Sequence, residues 1–146
     1  IKYYANYGLE CCSLRYFNVY GPNQDGSSQY SGIISKFLKL KKEGIVPTIY
    51  GDGNQTRDFT YVDDVVKFNY LVSQQKLSGE VFNVCYGQQT SLNDIVDAIG
   101  FDSVNYEKGR FGDIKQSYGD NSKIKKFTGS DFEYDIKKGL NKLMNI

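Results

Sequence analysis

The chain reads as an α/β protein, and three observations carry that reading. Strand-like apolar runs alternate with helical stretches along its length. Glu80-Val81-Phe82-Asn83-Val84-Cys85 is a compact apolar run that suits a parallel strand inside a sheet. A second such run, residues 10–17, breaks off at a Gly-Pro turn with a polar amide at its end. In open α/β sheets the crevice beyond the carboxyl ends of the strands is where ligands bind.

Taken in order, residues 1–7 read as a helix end stopped by Gly8 in a C-cap position. The strand of residues 10–17 follows. It cannot continue through Gly21-Pro22, where the backbone must turn and one donor is lost. Asn18 sits where that strand runs out, with a donor and an acceptor to offer. It either satisfies the turn or contacts a ligand. Residues 23–31 form a polar loop. Tyr30, Ile33, Ile34, Phe37 and Leu38 recur at helical spacing, which predicts an amphipathic helix ending at Gly44. Residues 45–50 read as a short strand entering the Gly51-Asp52-Gly53 turn, and residues 57–62 as another. Asp63 or Asp64 is expected to cap a helix with Val62, Val65, Val66 and Val72 inward, running to about Gln75. After the strand at 80–85, Ser91-Leu92-Asn93-Asp94 resembles a capping box. It opens a helix with Leu92, Ile95, Val96 and Ile99 on one face, cut short at Gly100. A Lys-rich helix around 121–127 and a last helix with Ile136, Leu140, Leu143 and Met144 inward complete the chain.

With 146 residues, 40% apolar content and a formal charge of +1, the chain has the size and balance of one globular domain. That charge gives no reason to expect nucleic-acid binding; Lys36, Lys39 and Lys42 share a helical face that reads as solvated. No apolar run is long enough to cross a membrane and no signal-peptide pattern occurs, so a cytoplasmic location is expected. Three cysteines, two of them adjacent at 11 and 12, make no disulfide framework. The sequence has no histidine and no Cys-x-x-Cys. A histidine general base is thereby excluded, and a metal site is not expected.

Three stretches carry a resemblance. Arg15-Tyr16-Phe17-Asn18-Val19-Tyr20-Gly21-Pro22 is the first, and the run from Tyr50-Gly51-Asp52-Gly53 through Arg57-Asp58-Phe59 to Asp63-Asp64-Val65 is the second. Gly109-Arg110-Phe111-Gly112-Asp113 is the third. In this order and spacing they resemble the carboxyl-terminal half of the extended short-chain dehydrogenase/reductases, the NAD-dependent epimerase/dehydratase family. Tyr16-Phe17-Asn18 before the turn looks most like the UDP-sugar 4-epimerases. The resemblance implies the last strands of a Rossmann-type parallel sheet interleaved with a small substrate-binding lobe. It also implies that residues 1–146 are the substrate-binding half, with the dinucleotide loop and a Tyr-x-x-x-Lys pair before residue 1. No Gly-x-Gly-x-x-Gly occurs here, and Tyr134 with Lys138, the one Tyr-x-x-x-Lys match, falls too far along the chain to be that pair.

The roles implied by the resemblance are these. Tyr16 and Phe17 would lie near the nicotinamide of NAD, and Asn18 on the sugar diphosphate. Arg57 and Arg110 would hold the diphosphate, since a guanidinium fork donates two parallel bonds to phosphate oxygens. Their alternatives are surface pairs: Arg57 with Asp58 or Asp63, and Arg110 with Asp113. Asp113 would accept from ribose hydroxyls. Backbone groups of Thr48 and Tyr50 would pair with uracil, and Gly32, Ile33 and Phe37 would wall the pocket, unless Ile33 and Phe37 are plain core. The expected ligand is a UDP-hexose or UDP-N-acetylhexosamine, and the expected parent a homodimer. A nucleotide-sugar 4,6-dehydratase or decarboxylase, and a non-catalytic nucleotide-sugar-binding module, stand as alternatives. The strands at 10–17 and 80–85 are expected to find their neighbours largely in the amino-terminal half.

Overall fold

The computed structural model describes residues 1–28 and 32–145. Eight short strands alternate with six helices. Helix α1 (Lys2–Tyr7) closes at Gly8, whose left-handed backbone (φ 67°) lets its N–H reach the Tyr4 carbonyl. Strand β1 (Ser13–Tyr16) is followed by β2 (Val19–Tyr20) and helix α2 (Ile33–Glu43), which ends at Gly44. Tyr30, expected on the apolar stripe of α2, lies outside the described residues. Strands β3 (Thr48–Tyr50), β4 (Thr56–Arg57) and β5 (Thr60–Tyr61) lead into α3 (Val62–Ser73). Strands β6 (Val81–Val84) and β7 (Thr90–Ser91) precede α4 (Leu92–Ile99). The chain finishes with β8 (Asn105–Glu107), α5 (Ser122–Thr128) and α6 (Ile136–Met144).

Three of the four strand pairs are parallel: β1 with β6, β2 with β5, and β3 with β8, while β4 pairs antiparallel with β7. The strands at 10–17 and 80–85 therefore find each other, with Ser13 opposite Val81 and Tyr16 opposite Val84. The outer edge of each has no strand among the described residues.

Apolar side chains gather in two cores between which the chain passes back and forth. Val65, Phe68 and Val72 of α3 meet Phe82 and Val84 of β6, Ile124 of α5 and Phe132. Tyr20, Ile34, Phe37, Ile49, Ile95, Ile99 and Leu140 form the other, drawn from α2, β3, α4 and α6. Two side chains expected inward face out instead. Val66, 62% exposed, sits a helical step round from Val65 and so off the buried stripe. Met144, 43% exposed, lies in the last turn of α6, beyond the reach of the core that takes Leu140. The capping box at α4 forms as expected: the Asp94 N–H donates to Ser91 Oγ at 3.0 Å, and the Ser91 N–H to Asp94 Oδ2 at 3.0 Å. Helix α3 is different. It starts at Val62 on Tyr61, without a side-chain cap, and neither Asp63 nor Asp64 serves as one. Asp64 turns inward to accept the Glu133 and Tyr134 N–H groups, while Asp63 accepts from Lys142 at 2.6 Å.

Asp58 is fully buried and is the main tie between the two cores. Its carboxylate accepts N–H groups of Tyr86 at 3.1 Å, Gly87 at 3.1 Å and Gly119 at 3.2 Å. Burial raises this carboxyl above its ordinary range even though those donors pull the other way. Burial likewise pushes the adjoining Cys85 thiol up to about 12, so it is an inert packing group.

Asp58→Asn turns an amide NH2 toward donors that need an acceptor. It is expected to cost about 1–3 kcal/mol in urea denaturation. The folded chain holds the Asp58 proton more tightly than the unfolded chain. The contribution is thus greatest below the unfolded carboxyl range and declines as pH rises through the raised folded value. The stability gap between wild type and Asp58→Asn should narrow as pH climbs from about 4. A gap that widens over that range would contradict the assignment.

Candidate functional site

The crevice lies on the side of β2, β3 and β4 where the loops meet. It consists of two cavities that share Gln55 and Asp113 as a common wall. The first, about 210 Å³, is bordered by Asn18, Gly32, Ile33, Arg57, Phe59 and Leu92. The second, about 350 Å³, lies among Tyr50, Gly51, Asn54, Gly109, Arg110 and Lys115. Helix α2 points its first turn, which carries no acidic residue, at the first cavity. The positive end of its dipole therefore favours an anion there.

Each expected site residue has a definite place. Asn18 Nδ2 donates to the Asp58 carbonyl at 3.1 Å rather than to its own turn, and the residue borders the first cavity. Gly32 and Ile33 border the same cavity, but Phe37, a turn deeper, is 2% exposed and packs edge-on against Phe101 in the core. Arg57 pairs with neither Asp58 nor Asp63. Its Nη2 donates to Asp113 Oδ1 at 2.9 Å, and its Nη1 to the Thr56 carbonyl at 2.8 Å and the Ile114 carbonyl at 2.6 Å. Asp113 is thus joined to Arg57 rather than to Arg110. The Arg110 guanidinium lies over the Tyr50 ring, 4.0 Å from its centroid.

Thr48 and Tyr50 are placed by strand alternation. Bonds from the Asn105 N–H to the Pro47 carbonyl and from the Gly51 N–H to the Glu107 carbonyl show which residues of β3 face β8. In a parallel ladder the intervening residues turn their backbone groups to the opposite edge. For Thr48 and Tyr50 that edge is free of a strand, although Gln55 Nε2 donates to the Tyr50 carbonyl at 2.7 Å. Tyr16 and Phe17 point apart, as consecutive strand residues do. The Tyr16 hydroxyl donates to Asn69 Oδ1 of α3 at 2.8 Å. The Phe17 ring packs so closely on Gly119 that a Cβ there would meet it at 2.7 Å. The structure does not bring these two side chains together.

Sequence reasoning missed Gln55, Phe59 and Leu92, which line the first cavity. Gln55 lay inside a motif already singled out, two residues past Gly53, so its position was a usable signal. Phe59 lay in the same motif but is as apolar as any core residue, and Leu92, outside it, carries no signal that separates it from core.

Residues 1–85 match the NAD dependent epimerase/dehydratase family, and the chain belongs to that family. It is 40% identical over 99% of its length to a putative UDP-glucose 4-epimerase of Methanocaldococcus jannaschii, covering 48% of that protein. Among solved structures it is similar to the UDP-glucose 4-epimerase of Thermotoga maritima with UDP-glucose: 34% identity, TM-score 0.90, 99% of this chain and 48% of that one. It is also similar to the UDP-N-acetylglucosamine 4-epimerase of Methanobrevibacter ruminantium M1 in complex with UDP-N-acetylmuramic acid: 37% identity, TM-score 0.89, with the same coverage. The chain spans about half the length of these relatives. The Rossmann-type fold expected from the sequence is the fold of these neighbours.

Arg57 also has a mechanical duty, since two of its hydrogen bonds hold the segment around Asp113 and Ile114 against β4. Arg57→Ala should release that segment. Amide hydrogen exchange at residues 111–115 is expected to accelerate about tenfold or more, while exchange in β6 stays unchanged. Equal protection of residues 111–115 in both proteins would show that Arg57 does not anchor them.

Proposed function

We propose that residues 1–146 form the substrate-binding half of a UDP-sugar 4-epimerase and grip the UDP group of a UDP-hexose or UDP-N-acetylhexosamine. The observation that carries this reading is the pair of arginines on adjoining cavities, with the unpaired edge of β3 beside them. A diphosphate carries about two negative charges near neutrality, which two guanidinium groups and the N-terminus of α2 can compensate. The Thr48 carbonyl and Tyr50 N–H on the free edge suit an imide such as uracil, which has one N–H donor flanked by carbonyl acceptors. Asp113 would take ribose hydroxyls while keeping its bond to Arg57, and Asn18 would donate to the sugar diphosphate. Gly32 and Ile33 would wall the first cavity.

NAD, when bound, accepts and returns a hydride at sugar C4. In this chain the region around Tyr16 and Phe17, at the end of β1, would border its nicotinamide. The glycine-rich loop and the tyrosine base with its lysine would come from the amino-terminal half of the parent. This chain's task is to hold UDP firmly and the hexose loosely, so that the sugar can present either face to the cofactor. The parent is expected to be a cytoplasmic homodimer.

Titration calorimetry with UDP tests the site. Arg57→Ala and Arg110→Ala are each expected to weaken UDP binding at least tenfold, about 1.4 kcal/mol. If both hold one diphosphate, the double variant should lose less than the sum of the two. Unchanged affinity in Arg57→Ala would remove Arg57 from the site. The division of labour has its own test: the purified 146-residue chain, given NAD and UDP-galactose, should show no epimerase turnover. Co-expression with an amino-terminal half from a relative should restore it. Turnover by the isolated chain would overturn that division.

A further inference from the structure

The two arginines are not in equivalent states. Arg57 is held by a carboxylate and two carbonyls. Arg110 has no carboxylate partner among the described residues, and its guanidinium lies over an aromatic ring. That ring belongs to Tyr50, which borders the second cavity and sits on the free strand edge. An exposed aromatic face in such a place is where a nucleobase would stack, since every base has a π-face and gains from such a contact. Arg110 therefore occupies the platform that a base would use.

The loop that carries Arg110 can give that platform up. It is pinned at both ends, by the Gly51 N–H on the Glu107 carbonyl at 2.8 Å and the Thr56 N–H on the Lys115 carbonyl at 2.9 Å. Between these pins lie Gly109 and Gly112, the latter at φ 80°, in a conformation that other residues rarely adopt. The Asp113 N–H donates to the Arg110 carbonyl at 3.3 Å, so Arg110 and the Arg57–Asp113 pair share one tight turn. A change of side-chain rotamer, with the backbone pins intact, would carry the guanidinium from the ring toward the wall between the two cavities. There it would lie alongside Arg57, where the diphosphate is placed.

We propose that the Arg110–Tyr50 stack makes the groove selective for phosphorylated nucleosides over bare ones, an inference that rests on the UDP reading above. An incoming base must displace the guanidinium from the Tyr50 ring. Only a ligand that also carries phosphate offers the displaced guanidinium a new partner, and a stronger one. A nucleoside without phosphate meets the cost and receives nothing in return, which is specificity by an added penalty against the wrong ligand. The one side chain thus acts in opposite directions on two ligands that share a base.

The experiment is a titration of the 146-residue chain with uridine and with UDP, followed by chemical-shift changes in its amide spectrum. In Arg110→Ala, UDP binding should weaken at least tenfold, while uridine binding should strengthen about two- to fivefold, the scale of an exposed cation–π contact. Tyr50→Leu supplies a second measure: with the ring gone, adding Arg110→Ala should no longer improve uridine binding. That arm keeps the test decisive should one variant fold poorly. Uridine affinity that is unchanged or weaker in Arg110→Ala, with UDP still binding wild type, would overturn the selectivity role and leave the UDP site standing. Failure of wild type to bind UDP would instead overturn the reading on which it rests.

Discussion

The buried carboxylate of Asp58 is the constraint on which the rest of the structure hangs. Among the described residues no countercharge touches it; its oxygens are met by backbone N–H groups of the turn after β6 and of Gly119. Its own carbonyl receives Asn18, and the Thr60 N–H donates to the Asn18 carbonyl. One residue thus joins the end of β1, the β4–β5 segment, the end of β6 and the stretch before α5. Unmade bonds at a buried carboxylate are costly, so these four pieces of chain are held in one arrangement. The mouth of the crevice is the arrangement they define. Asp64 repeats the device six residues later, in the first turn of α3, accepting the Glu133 and Tyr134 N–H groups and seating the segment before α6.

Around that frame the candidate site is made of loops, and its charges have two kinds of work. Arg57 is committed to the fold: it holds Asp113 and Ile114 and has donors to spare for a ligand. Arg110 is not committed, and its contact with Tyr50 is of the sort that exchanges readily. On the proposed reading, Arg57 would keep the groove's shape while Arg110 would be the cation available to an anion. The surface pairs elsewhere, Lys39 with Glu43 and Lys125 with Asp131, add little by comparison.

Two cores threaded by one chain also explain why the molecule presents so much apolar surface. The β1–β6 pair has helices α3 and α5 packed on it, but Tyr3, Tyr7, Tyr16, Val66 and Tyr70 remain exposed around it. Exposed aromatic residues gathered in this way form an apolar patch larger than isolated surface residues would make.

By itself the sequence determined the periodic elements and the motifs. The α2 stripe with its Gly44 stop, the Ser91–Asp94 box, the Gly8 cap and the apolar run of β6 could all be read from neighbours within a few residues, because helix periodicity and capping are local. Asn18, Gly32, Ile33, Arg57, Arg110 and Asp113, the residues that the family resemblance implied for a site, all border the two cavities. What a side chain touches was another matter. That Arg57 takes Asp113, 56 positions away, and passes over the adjacent Asp58 depends on where burial sends Asp58. The sequence left open whether Phe37 walls a pocket or fills a core, and its expectation that Asp63 or Asp64 caps α3 failed because both carboxylates take distant partners. Pairings across long separations and the choice between two faces of one helix are settled only when the whole chain competes for the same buried space. That competition was the part the tertiary structure had to decide.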